Sequence, residues 1–171
     1  MTTATHYMTN VSDQKLQIGD EDDTILIGGT GANCTMIAGN GDRNVIKCGS
    51  GAHTLAITGN GHNDTIYGGS GAHDTLLGGN NGCTFYVGSG ADQSVRGGLG
   101  NDVFHFGANI GANDTIVGGS GSNIMSFDSH NSGNVELNTS GAYRTITFTD
   151  IGRTVYYTNI TTIKFSDGKT T

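Results

Sequence analysis

GNGHNDTIYGGSGAHDTLLGG, residues 59–79, carries one pattern twice: Gly-x-Gly, two variable positions, Asp-Thr, an aliphatic residue, then glycine again. In this pattern the glycines supply positive-φ turns, and the Thr-aliphatic-x segment supplies a short β-strand. Working outward in tens from Gly29, GTGANCTMIA, GNGDRNVIKC and GSGAHTLAIT come before it, and GNNGCTFYV, GSGADQSVRG and GLGNDVFHF come after. An imperfect copy, GDEDDTILIG, begins at Gly19, and GANDTIVG and GSGSNIMSF follow from Gly111 and Gly119. One such unit cannot bury its apolar side chain alone. Stacked units, two per coil, bury it against the facing strand and the coils above and below. Helix is disfavoured, because each interior glycine costs about 1 kcal/mol relative to alanine. The expectation is an all-β chain: a parallel β-roll or β-solenoid with two units per coil and a C-terminal antiparallel strand cap. Residues 1–18 are a lead strand or cap, 19–126 the repeats, and 127–171 the strand cap, where apolar and polar residues alternate in hairpin-like runs.

The composition agrees with a thin core. The chain has 171 residues, 34% hydrophobic, with 30 glycines, no proline and no tryptophan. Eight basic residues against fifteen acidic ones give a net charge of −7, which argues against nucleic acid and leaves cations as natural partners. No apolar stretch approaches the roughly 20 residues of a membrane span, so no membrane insertion is expected, and MTTATHYMTN lacks the regions of a signal peptide. Cys34, Cys48 and Cys83 follow no CxxC spacing and are expected to be free thiols.

With the position after Thr taken as inward, Ile25, Ile46, Ile66, Phe85 and Phe104 line one face of the core. Met36, Ala56, Leu76, Val95 and Ile116 line the other. Outward, Ile37, Ile57 and Leu77 form an apolar strip expected to be covered by the C-terminal strands or by a second copy of the chain in a homodimer. Tyr67 and Tyr86 lie outward one coil apart, where they either shield the sheet or stack on a sugar. His53 and His73 are also one coil apart, and with no third ligand evident they read as a solvated pair.

GGLGNDVFHF from Gly97, GGSGAHDTLLGG from Gly68 and GNGHNDTIYGG from Gly59 resemble the RTX nonapeptide GGxGxDxUx of secreted bacterial proteins, in a degenerate ten-residue variant. The tail VYYTNITTIKFSDGKTT is similar to the closing segment of many such proteins. The resemblance implies that turn carbonyls and the motif Asp bind Ca2+ between successive coils. Asp23, Asp64, Asp74, Asp102 and Asp114 would be the ligands, with Asn44, Asp42 and Asp92 assisting. Consecutive units lie on opposite edges, so the motif positions form two ladders. One runs Asp23, Asn44, Asp64, Thr84, Asp102, and the other Cys34, Thr54, Asp74, Gln93, Asp114, with the places of Asn44 and Thr54 depending on where the insertions fall. Carboxylate alternates with a neutral residue in both. A site between neighbouring rungs then has one motif carboxylate, so it should bind calcium more weakly than a site with two. The competing reading of each Asp is a turn former that bonds its local backbone.

No nucleophile–base–orienter set stands out, and with only Glu21 and Glu136 a paired-carboxylate hydrolase would have to use turn aspartates. The expectation is a non-catalytic calcium-binding spacer, structural or adhesion module of a bacterial protein that is secreted or on the cell surface, with type I-like export. The alternative is a carbohydrate-binding accessory of a polysaccharide-modifying enzyme, such as an alginate epimerase, acting through Tyr67 and Tyr86. An ice-binding threonine ladder is disfavoured by its breaks at Val45, Leu55 and Val103.

Overall fold

A computed structural model describes residues 3–171. Among the described residues there are seventeen strands, beginning with β1 (Thr5–Tyr7), β2 (Lys15–Gln17), β3 (Ile25–Ile27), β4 (Thr35–Ile37), β5 (Val45–Lys47) and β6 (Leu55–Ile57). Next come β7 (Thr65–Tyr67), β8 (Thr75–Leu77), β9 (Thr84–Val87), β10 (Ser94–Gly98), β11 (Val103–Phe106) and β12 (Asp114–Gly119). The last are β13 (Ile124–Phe127), β14 (Val135–Asn138), β15 (Arg144–Phe148), β16 (Arg153–Thr158) and β17 (Thr162–Phe165). Odd strands β1 to β13, closed by β17, make one parallel sheet; β2, β4, β6, β8, β10 and β12 make the parallel body of the second. The chain is a β-solenoid in which each coil lays one strand on each sheet.

Residues 1–18, expected as a lead strand or cap, hold β1 and β2 within the described part. These two strands pair in parallel with β3 and β4 and form a coil of the same roll. At the other end β16 joins β12 in parallel, β15 and β14 follow antiparallel, and β17 pairs in parallel with β13. The C-terminal segment therefore prolongs both sheets and closes the core with Ile146, Phe148, Val155, Ile163 and Phe165. It does not cover Ile37, Ile57 and Leu77, which stay half-buried on the outer face of the second sheet.

Between the sheets lie Leu26, Ile46, Ile66, Phe85, Phe104 and Met125 from one side and Met36, Ala56, Leu76, Val95 and Ile116 from the other, all fully buried. One expected core residue moves: Leu26 points inward, and Ile25 lies half-buried on the outer side. In the three-residue strands β3 to β8 only the central side chain enters the core, so the sheets are joined there by a single file of apolar residues from each side. Stacking is regular enough for Phe85 and Phe104 to lie parallel at 4.9 Å between ring centroids.

The turns divide their work differently from the expectation that glycine supplies the positive φ. In most units that conformation falls on a non-glycine residue: Asp23, Asn33, Arg43, His53, Asn63, His73, Asp92 and Asn113 have φ between 56° and 60°. Many of the glycines serve close approach instead. A Cβ on Gly49 or Gly69 would run into the carbonyl oxygen of Gly29 or Gly49, one coil earlier.

Candidate functional site: two buried ladders in the turns

At the start of each strand from β3 to β13, one residue turns its side chain into the roll: the residue just before the strand or, in β12, its first residue Asp114. Along one edge these residues are Thr24, Asn44, Asp64, Cys83, Asp102 and Asn123; along the other they are Cys34, Thr54, Asp74, Gln93 and Asp114, and all are buried. Each Asp or Asn rung accepts a backbone N–H from the coil before it. Asn44 Oδ1 accepts from Thr24 N at 2.8 Å, Asp64 Oδ1 from Asn44 N at 2.8 Å, and Asp102 Oδ1 from Cys83 N at 2.8 Å. On the second edge Asp74 Oδ1 accepts from Thr54 N at 2.7 Å and Asp114 Oδ1 from Gln93 N at 3.0 Å. These bonds satisfy amides that the short strands cannot reach, which explains why Asp or Asn recurs at this position.

The second polar atom of each rung decides the chemistry. Where the rung is not Asp, that atom usually donates to a turn carbonyl. Asn44 Nδ2 donates to Gly41 O at 2.9 Å, Thr54 Oγ1 to Gly51 O at 3.1 Å, and Cys34 Sγ to Gly31 O at 3.3 Å. Asn123 Nδ2 donates to Ser120 O at 3.2 Å, and Gln93 Nε2 reaches back one coil to Gly71 O at 2.6 Å. The slot is built for a donor, and an ionised carboxylate has none. Accordingly the Oδ2 atoms of Asp64, Asp74, Asp102 and Asp114 are buried without a hydrogen-bond partner. Glycine keeps the space beside them, since a Cβ on Gly61, Gly97 or Gly111 would meet the Oδ2 of Asp64, Asp102 or Asp114. Burial pushes the carboxyls of Asp64, Asp74 and Asp102 up to about 6 and that of Asp114 up to about 7, against the pull of the backbone amide each accepts.

Four of the five aspartates singled out in the sequence thus occupy the ladders. Asp23 does not. Thr24 takes its rung, and Asp23 sits outside at φ 56°, where Oδ1 accepts from Arg43 Nε at 2.7 Å and the guanidinium holds the carboxyl below its usual range. Cys83 takes the rung expected of Thr84, which faces outward from its strand. Asn44 is on the ladder, as an amide that donates as well as accepts. Asp42 stacks turns from outside by accepting His62 N at 2.8 Å, and Asp92 is an exposed turn residue 3.9 Å from His73 Nδ1. Neither reaches the buried slots. Among the described residues no three His, Cys, Asp or Glu side chains converge, so a cation in these turns would depend on backbone carbonyls for most of its ligands.

On the first sheet Tyr67 and Tyr86 stack face to face at 4.6 Å with 4° between ring planes, and His105 continues the pile at 5.0 Å. Their faces are turned to one another and their edges to solvent, which fits shielding of the sheet better than stacking on a sugar. His53 and His73 stack at 5.0 Å on the opposite edge. The cysteines are free thiols, with burial pushing Cys48 up to about 12. No family model, curated protein or solved structure matches this chain.

Proposed function

We propose that this chain is a non-catalytic, calcium-responsive β-roll module of the RTX type, carried by a bacterial protein that works outside the cell. One observation carries the reading: four buried carboxyl oxygens, on Asp64, Asp74, Asp102 and Asp114, lack a partner in slots where neutral residues place a donor. A partnerless buried acceptor of this kind calls for positive charge beside it, a proton at low pH or a cation at neutral pH. The donor set is all oxygen, from one carboxylate and the surrounding turn backbone, and this suits a hard cation with adaptable coordination. Calcium bound there would neutralise the carboxylate and tie one coil to the next.

Each Asp has neutral rungs on both sides where both neighbours are present, such as Asn44 and Cys83 around Asp64. One carboxylate per site gives weak binding, in the range of about 10⁻⁴ to 10⁻³ M typical of extracellular modules. Calcium reaches such concentrations outside cells, and this supports an exported protein in which the roll is a spacer or adhesion unit.

The test is thermal unfolding of metal-stripped protein at neutral pH. Millimolar calcium is expected to raise the melting temperature, and magnesium less, because it demands compact octahedral geometry. Identical melting with and without calcium overturns the proposal.

A further inference from the structure

We infer that the corner between the last coil and the C-terminal cap is a binding site for a neutral sugar ring. Asn113, Thr115, Tyr143 and Tyr156 line a hollow of about 340 Å3, within the range of small-ligand sites. Its walls come from both parts of the chain. Thr115 and Tyr156 are directly opposite one another on adjacent parallel strands β12 and β16. Asn113 stands in the turn before β12 with φ 60°, and Tyr143 immediately precedes β15. The hollow exists because the cap is joined edge-on to the roll and its chain doubles back there.

The chemistry of the lining selects the ligand. Tyr143 is 46% exposed and Tyr156 38%, and among the described residues neither ring stacks on another aromatic, unlike Tyr67 and Tyr86. No aromatic ring among the described residues competes for Tyr143 and Tyr156, and a partly exposed tyrosine ring is a surface on which the C–H face of a pyranose packs. Asn113 spends one amide hydrogen on Asp92 at 3.4 Å, leaving its carbonyl and second amide hydrogen free, and Thr115 adds a hydroxyl. None of the four lining residues is charged, so the site offers a uronate or a phosphate no counter-charge. On the same outer face the register continues from Thr115 to Ser94 and Thr75, a row of hydroxyls leading away along the sheet. That row extends the surface for a second or third ring of an oligosaccharide.

The experiment is saturation-transfer NMR on the full chain in calcium-containing buffer. The probes are the neutral tetraoses of β-1,4-glucose, β-1,4-mannose and α-1,4-glucose, with a tetra-uronate as charged comparator. At least one neutral tetraose is expected to receive saturation, with a signal at least about fivefold above that of the uronate. Tyr143→Ala and Thr115→Val should each abolish most of it, while Tyr67→Ala leaves it intact. Circular dichroism checks that each variant is folded; Asn113→Gly, which keeps the turn conformation, replaces any variant that is not. Absence of transfer to every neutral probe, or transfer that survives both Tyr143→Ala and Thr115→Val, overturns the inference. Loss with Tyr67→Ala alone would place the sugar on the first sheet and also overturns it.

Discussion

Replacing Asp64 by Asn turns one orphaned carboxyl into the amide that Asn44 already presents one coil earlier. In the calcium-free protein at pH 8 the Asp64 carboxyl is ionised, although burial has pushed it up to about 6 from 3.8. Taken whole, that shift corresponds to about 3 kcal/mol. Solvent relaxation around the turn reduces the effect to on the order of 1–2 kcal/mol. The substituted amide keeps the acceptor for Asn44 N and gains a donor for the turn carbonyl, so calcium-free D64N should melt about 2–8 °C above the parent. At pH 4, where Asp64 is protonated and itself a donor, the two should melt within about 2 °C of each other. Calcium reverses the order of benefit: D64N lacks a carboxylate, and its calcium-induced gain at pH 8 should be smaller than the parent's. The assay is differential scanning calorimetry of both proteins at the two pH values, with chelator and with millimolar calcium. A D64N protein less stable than the parent at pH 8 without metal would refute the donor-slot reading. An undiminished response to calcium would refute the role of Asp64 in cation binding.

The pH dependence of the unmodified, calcium-free protein has a definite sign. Carboxyls with folded values near 6 or 7 and an unfolded value near 3.8 stabilise the fold while protonated. Their contribution is whole below about pH 3.8 and is lost as pH rises through 6 to 7, so melting temperature should fall from pH 4 to pH 8. A melting temperature that rises across that window contradicts the burial of neutral acids. Among the turn residues, Gly49→Ala drives a Cβ into Gly29 O and should cost at least about 2 kcal/mol, or about 4 °C or more. His53→Gly relieves a φ of 60° and loses a comparable amount to unfolded-chain entropy, so it should melt within about 2 °C of the parent. Equal effects of these two substitutions in a melting series would mean that coil spacing is not set by glycine. Finally, Ile37, Ile57 and Leu77 form the face expected to pair two copies. Light scattering should find a dimer that Leu77→Asp splits into monomers, and a monomeric parent removes the interface.

The sequence made strand positions legible wherever Thr follows the rung residue. Thr65–Tyr67 and Thr75–Leu77 are strands, and Asp64 and Asp74 lie on rungs just before them. Asp23 misled because Asp23-Thr24 in GDEDDTILIG looks like Asp64-Thr65 and Asp74-Thr75, although it is Thr24 and not Asp23 that stands on the rung. Counting back the twenty residues of a coil from Asn44 lands on Thr24, and the same count from Ile46 lands on Leu26. Cys83 was hidden by its side chain, although it precedes Thr84 just as Asp64 precedes Thr65. The first coil lacks Gly-x-Gly, yet Tyr7, Ile27 and Lys47 are spaced by twenty residues and stack in register. Positive φ at Arg43 had no local signal, because arginine does not favour that region and only stacking imposes it. The donor character of the slot is likewise a property of the three-dimensional arrangement and not of residue type. Asp, Asn, Thr and Cys alternate along the ladders, and what unites Asn44, Thr54 and Cys34 against the acids is a hydrogen aimed at a turn carbonyl.

The most direct measurement is a crystal structure of the chain grown in calcium at pH 7.5, with anomalous data collected after exchange of calcium for terbium. The expected result is anomalous peaks inside the turns, each about 2.3–2.6 Å from Oδ2 of Asp64, Asp74, Asp102 or Asp114 and from neighbouring backbone carbonyls. Turns free of anomalous signal, with those four oxygens within hydrogen-bond distance of a carbonyl, would contradict it. The aspartates would then be neutral structural rungs, and the roll would have no need of a metal.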